Sequence, residues 1–461
     1  MQLIEYLPLT YGQLWFMREM VKVKRPGWYT IDFLIRTKIP MDEKLVERSV
    51  FHLVDKYESL RVKMVQVNGQ WLQQIYPVTA AAPFAWYDLS NEQPEKQSER
   101  IKEVCIQERD KLAPEKGNMV RIVYFRFSAH EGRIWFCLHH LIADFMTVLI
   151  ITNEFMAAYN SLARGKELKR QPDNEFRKWL YLMEGMTRYV LLPTELSYWA
   201  SLPWSKAGVL PSDFPDKFPA SDIIVDAIRN KKILDTYRTF EEVIDTTLTL
   251  ELFNRCGAAF ENYLIAVFFL AVANEKKVDW LDINVANSGR NILPADYGVN
   301  TYKLVGYIAT ARALLLQRPD SDNLLAGIEQ LTEQMKRIPN GGLGFFLLRE
   351  FIPDDALKNS WYSRRQQGEI FFNYTGRVNT TFMNEQYETI EEDTGRNIHI
   401  EEFQNTLLSC FVTIHQHRLI IRFGYSAVYL KERTIQNMAD AMVAMFREIV
   451  SKQLNPKIAC V

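Results

Sequence analysis

Strand-patterned and helix-patterned segments alternate along the whole 461-residue chain, which predicts a layered α/β (α+β) architecture. The length predicts more than one core, because single hydrophobic cores stop growing at roughly 250–300 residues. A polar, proline-punctuated stretch between Arg164 and Pro219, with "GKELKRQPDNE" and "LPSDFPDKFPASD", reads as a junction between two lobes. The expected division is residues 1–175 for an N-terminal lobe and 176–461 for a C-terminal lobe that includes the linker.

The elements follow in order. "WYTIDFLIRT", Trp28 to Thr37, has the aromatic and β-branched content of a strand. "DEKLVERSVFHLVDKY" spaces Leu45, Val46, Val50, Leu53 and Val54 at helical intervals, with Asp42 placed to cap the first turn. "VRIVYFRF", "SAHEG" and "RIWFCL" form a hairpin; its return strand is apolar at nearly every position, as expected where both faces are buried. "FMTVLIITNEFMAAY" sets Val148, Ile151, Phe155 and Tyr159 on one helical stripe. Later come a strand "WLDINVANSGR", a strand pair near "EIFFNYTGRV" and a hairpin "CFVTIHQHRLIIRFGYS". The last helix, "ERTIQNMADAMVAMFREIV", puts Ile435, Met438, Met442 and Met445 on one face. The longest apolar run, Leu264 to Ala273, is about half the ~20 residues a bilayer span needs and has charged flanks. It reads as a buried core helix, and no membrane association is expected.

Composition narrows the function classes. With 55 basic and 56 acidic residues the formal charge is −1, so no overall field favours nucleic acid or anionic lipid. The five cysteines form no CxxC pair and are odd in number, against a disulfide framework or a thiolate zinc site and in keeping with a reducing cytoplasm. The N-terminus lacks the pattern of a signal peptide. Signatures of hydrolase elbows, phosphate-binding loops and dinucleotide folds are missing.

The chemistry-bearing stretch is "CLHHLIADF". It ends a buried strand on His139 and His140, with Asp144 four residues further on. Adjacent side chains on a strand point to opposite faces, so one imidazole can meet a cleft while the other holds the turn. An imidazole titrating near pH 6.5 suits general base work on an attacking amine, alcohol or thiol. The spacing lacks a metal-ligand pattern, and His415 and His417 on the later hairpin have no third ligand beside them, so no metal is expected. Were residues 140–144 helical, His140 and Asp144 would share a face and could form a dyad.

"HHLIADF" resembles the HHxxxDG motif of nonribosomal peptide synthetase condensation domains, within the chloramphenicol acetyltransferase-like superfamily. Further landmarks appear in order: "LPLTYGQLWF", "YESLRVKM", "LSYWASL" with "LPSDFPDKFP", "ANSGR", "VGYIATA" and "FNYTGR". The resemblance covers essentially the whole chain. It implies two acetyltransferase-like lobes in a V-shaped pseudo-dimer with a tunnel between them. It implies no tightly bound cofactor, but phosphopantetheine arms delivered by acyl or peptidyl carrier proteins. The acceptor is an amine, tethered or free. One copy suffices for a complete site, so a monomer is expected.

In residue terms the resemblance makes His140 the base or positioning group and His139 structural. Asp144 would turn away to pair with Arg290, against the dyad. Phe145, Gly306 and Tyr307 would line the tunnel. Phe145 replaces the family glycine, and such a ring could narrow the tunnel or strain the turn. Thr310 stands where the family has asparagine. The expected activity is amide or ester formation from a carrier-bound acyl thioester by a freestanding domain, since Met1 falls just before the first landmark. Two other classes are weighed: an inactive module that recruits enzymes or carriers, and a coenzyme A-dependent acyltransferase. "VKVKRPGW" and Arg364–Arg365 read as solvated basic surface or as contacts to an acidic carrier.

Overall fold

The computed structural model describes residues 5–19, 26–78, 82–218, 237–291, 298–349, 370–378, 386–390, 392–395 and 406–452. Val21 to Arg25 of the basic run, Arg364, Arg365 and Cys460 lie outside them. The strands of the first part are β1 Thr30–Thr37, β2 Val62–Val67, β3 Gln70–Ile75, β4 Phe84–Asp88, β5 Val120–Arg126 and β6 Gly132–His139. They are followed by β7 Tyr237–Ile244, β8 Trp280–Asn287, β9 Thr310–Gln317, β10 Ile370–Val378, β11 Tyr387–Ile390, β12 Leu408–His415 and β13 Arg418–Ser426.

Two compact units form, and their boundaries differ from the single expected division after residue 175. The first holds Met1–Met186, Ser288–Ala309 and Thr380–Glu402; the second holds Thr187–Asn287, Thr310–Asn379 and Phe403–Val461. Contacts keep residues 176–186 in the first unit: Phe176 packs beside Gly306 and Arg177 pairs with Glu58. The expected 176–461 lobe is therefore interrupted twice by returning chain.

In the first unit a five-stranded sheet runs β11-β1-β6-β5-β4, with β4 parallel to β5 and the other pairs antiparallel. β6 is buried along its entire length, as its unbroken apolar run requires. Below it, Val104, Cys105, Val123, Trp135 and Cys137 form the core with the helix Pro94–Arg109. β11 and the residues after it return from far along the chain. Glu392 bonds Arg133 (2.9 Å), Asp393 pairs with Lys102 (2.6 Å), and Thr394 donates to the buried Asp32 carboxylate (2.9 Å). The same oxygen, Oδ2, also accepts from Arg109 and from the Trp135 indole, both at 2.9 Å, so the buried charge is paired and hydrogen-bonded.

The second unit repeats the plan. Its sheet runs β7-β13-β12-β10-β8-β9; β10 is parallel to β12, while β12, β13 and β7 pair antiparallel. β4-β5-β6-β1 and β10-β12-β13-β7 thus share order and direction. β1 leads to Asp42, which caps the helix Glu43–Lys56 through Leu45 N–H, and β7 leads to Asp245, which caps Thr246–Cys256 through Leu248 N–H. Each central hairpin feeds a long helix: Phe145–Ala163 after β6 and Glu432–Ser451 after β13.

Three local expectations shift. The segment near "EIFFNYTGRV" is one strand, β10, with an irregularity between Tyr374 and Arg377, rather than a pair. His417 is not on a strand: Gln416 and His417, with φ of 47° and 63°, make the turn between β12 and β13. In the last helix Phe446, rather than Met445, completes the buried stripe of Ile435, Met438 and Met442. The run Thr246–Lys276 is long and apolar enough to cross a membrane, but a 3-10 turn at Gly257–Ala259 interrupts it. Leu264 to Phe269 are all buried, and the segment packs against the last helix.

Candidate functional site

The site grows from the register of the first sheet. Thr30 of β1 lies opposite His139 of β6, and one step beyond, His140 N–H donates to the Tyr29 carbonyl at 2.8 Å. The strand ends there, and residues 140–144 turn into the helix Phe145–Ala163. The two imidazoles part company as alternation demands. His139 is fully buried; its Nδ1 accepts from Leu141 N–H (3.1 Å) and its ring meets Phe16 edge-on at 5.2 Å. Gln13 supports the same turn by donating from Nε2 to the Leu141 carbonyl at 2.8 Å.

His140 is half-buried. Tyr29 stacks on its ring (centroids 4.8 Å apart, planes at 19°), and Tyr307 meets it at 4.6 Å and 62°. Nδ1 is buried and makes no well-aligned hydrogen bond, although carbonyl dipoles of His140 and Ala143 lie near. Burial holds the imidazole below its ordinary range and outweighs the field of Asp144, which acts in the opposite direction. The ring is therefore neutral near pH 7, the state a general base needs.

Asp144 forms no dyad. It is the N-cap of Phe145–Ala163: Oδ1 accepts from Thr147 N–H (2.8 Å) and from Arg290 Nη2 (2.7 Å), and Oδ2 accepts from Ile308 N–H (3.4 Å). Arg290, also buried, spends its other arm on the carbonyls of Thr301 and Leu304. Gly289 has φ +72°, and a Cβ there would fall 1.8 Å from the Ile308 carbonyl, so the residue before Arg290 must be glycine. Thr147 ties the two segments: its hydroxyl donates to the Gly306 carbonyl (2.8 Å) and accepts from Gly306 N–H (3.0 Å).

Sequence pattern does not single out Thr147, Tyr29 or Gln13. Tyr29 counts there only as strand composition, and the hydroxyl of Thr147 sits on a helix whose stripe is read for its apolar members. Gly306 touches Thr147, and Tyr307 touches His140. Phe145 is the first residue of its helix and 44% exposed. Among the described residues the non-glycine positions with positive φ are Asn68, Lys277, Asn340, Gln416 and His417, so the turn at Phe145 carries no such strain. Among the same residues no group of three or more His, Cys, Asp or Glu could hold a metal ion. A surface cavity of about 370 Å³ in this unit is lined by Arg48, Phe51, His52, Asp55 and Arg170, away from His140.

The first unit thus places a neutral imidazole at the end of a buried strand, on a turn locked by a capping carboxylate and a buried guanidinium, and the fold is chloramphenicol acetyltransferase-like. The sequence profile of the Condensation domain family matches residues 4–458, and the chain belongs to that family. Tyrocidine synthase 2 of Brevibacillus parabrevis is 24% identical over 443 residues, which are 94% of this chain and 12% of that protein. Tyrocidine synthase 1 of the same organism is 22% identical over 456 residues, 94% of this chain and 39% of that protein. The chain thus spans well under half the length of these relatives. Among solved structures, the epimerization domain from the third module of tyrocidine synthetase B aligns with a TM-score of 0.80 at 22% identity, covering 97% of this chain and 98% of that one. The first condensation domain of the calcium-dependent antibiotic synthetase, in complex with substrate analogue 2a, aligns at 0.67 and 13% identity, with 97% of each chain covered.

Proposed function

We propose that this chain condenses a carrier-bound acyl thioester with an amine, and that His140 is the base. The observation that carries the reading is the half-buried, neutral imidazole on a turn fixed by Asp144, Arg290 and Thr147. With Nδ1 sunk into the protein, Nε2 is the edge that meets the acceptor. The amine nitrogen forms the new C–N bond as its proton passes to Nε2. The C–S bond breaks, and the departing phosphopantetheine thiolate takes the proton. A base so placed contributes ~10²–10⁴-fold. Asp144 and Arg290 hold the turn, and His139 anchors it from below the sheet. Carrier proteins deliver the donor arm, and the acceptor is either tethered or free.

The test loads a carrier protein from the same gene neighbourhood with an acyl group, adds candidate amines, and follows product by mass spectrometry. Amide formation that disappears in His140→Ala supports the reading. Turnover with acyl coenzyme A alone moves the chain to the soluble-thioester class. Absence of transfer in the wild type together with its appearance in Phe145→Gly marks a recruiting module instead of an enzyme.

A further inference from the structure

We propose that Tyr29 and Tyr307 are positioning residues that clamp the His140 imidazole between them, fixing its plane and keeping water from its buried edge; this rests on His140 acting as the base.

The two rings approach from separate segments. Each is itself fastened, so the arrangement is more than a chance contact. Tyr29 grips His140 twice, through the carbonyl that accepts its N–H and through the stacked ring at 4.8 Å. Its place is dictated by the Thr30–His139 register, which leaves Tyr29 as the residue beside His140 where β1 begins. Tyr307 sits between two tethered neighbours: Gly306 is bonded through both backbone groups to Thr147, and Ile308 N–H reaches Asp144. Behind Tyr307 there is no slack. A Cβ at Gly12 would lie 2.4 Å from the Tyr307 ring, so the phenol ring packs directly on the Gly12 backbone. Neither ring can retreat without disturbing the bonds that hold the turn.

The clamp has an electrostatic consequence. The groups facing His140 are Asp144, the carbonyls of His140 and Ala143, and the phenols of Tyr29 and Tyr307, with Tyr11 beyond Tyr307. His139 faces Phe16 instead. Burial keeps both phenols un-ionised, with Tyr29 pushed up to about 12 and Tyr307 raised well above its ordinary value. The rings therefore bring bulk without charge. They exclude water from the imidazole, and that exclusion outweighs the pull of Asp144 toward the protonated form. Opening the clamp readmits water and lets the ring reorient.

The experiment follows the histidine ring signals of the full chain by NMR across pH, with the His140 signal assigned by its loss in His140→Gln. Variants are Tyr307→Leu, Tyr29→Leu and Tyr307→Phe, each checked for folding by near-ultraviolet circular dichroism. Expected is a rise of the His140 midpoint toward the ordinary ~6.5 in both leucine variants, with the wild-type value kept in Tyr307→Phe. In the transfer assay the acid limb of the pH profile moves by the same amount, and kcat falls while KM holds. If one leucine variant does not fold, the other decides. Midpoints equal to wild type in the folded leucine variants overturn the clamp, as does a shift in Tyr307→Phe as large as in Tyr307→Leu. The NMR result stands whether or not transfer is detected, so failure of the condensation reading and failure of the clamp are told apart.

Discussion

The turn after β6 and the turn after β13 occupy the same place in their units, yet they are built from different side chains. Both follow the antiparallel return strand of the central hairpin, and both lead into a long helix. In the first unit, residues 140–144 present an imidazole and end on Asp144, a carboxylate cap bonded to Arg290. In the second, residues 427–431 are pinned by Tyr429, whose hydroxyl donates to the Leu210 carbonyl at 2.6 Å, and end on Lys431, which gives no side-chain cap. One backbone plan thus yields a turn with a half-buried imidazole or a packed one according to a handful of side chains, so the fold alone does not assign activity.

The largest expected effect breaks this contrast outright. His140→Ala lowers transfer by ~10²–10⁴-fold, measured by product formation, in a chain checked for folding by circular dichroism. Next, Arg290→Met leaves the Asp144 carboxylate buried without its cation. It should cost about 3–5 kcal/mol in denaturant unfolding, with part of the loss recovered when Asp144→Asn is added. Thr147→Val keeps the shape but strands Gly306 N–H, while the Gly306 carbonyl keeps its bond from Ile308 N–H; the cost should be about 1–3 kcal/mol. Tyr429→Phe removes the pin of the other turn and should cost about 1 kcal/mol with transfer unchanged.

The pH dependence sharpens the comparison further. His140 and His52 are both held below their ordinary value, chiefly by burial. The unfolded chain therefore binds their protons first as the medium is acidified. Their contribution to stability is complete above about pH 6.5 and is lost as pH falls through the folded values. Unfolding midpoints should decline from pH 7.5 to 5.5, and His140→Gln should flatten that decline.

Much of this is legible from local pattern. The all-apolar run of β6, the Asp42 cap and the split of the histidine pair follow from period-two and period-3.6 spacing, which neighbouring residues enforce on one another. The Asp144–Arg290 bond spans 146 positions and is reached only through the family landmarks. No spacing rule links Tyr29 to Tyr307, since their meeting depends on sheet register and on a returning segment. The same holds for the two returns, 288–309 and 380–402, which no spacing rule assigns to the first unit. His417 misleads because a histidine beside β-branched residues reads as strand, while the tight hairpin needs positive φ there.

The strap formed by β11 and residues 392–395 has a consequence for biogenesis. The first sheet cannot gain its outer strand, nor Asp32 its last donor, until the ribosome has polymerised past residue 395. Arg290 likewise emerges long after the carboxylate it neutralises. Chain made only as far as the helix Phe145–Ala163 would hold an unfinished edge and an uncompensated acid, so this unit is completed only after residue 395 is made, well after its histidine-pair motif.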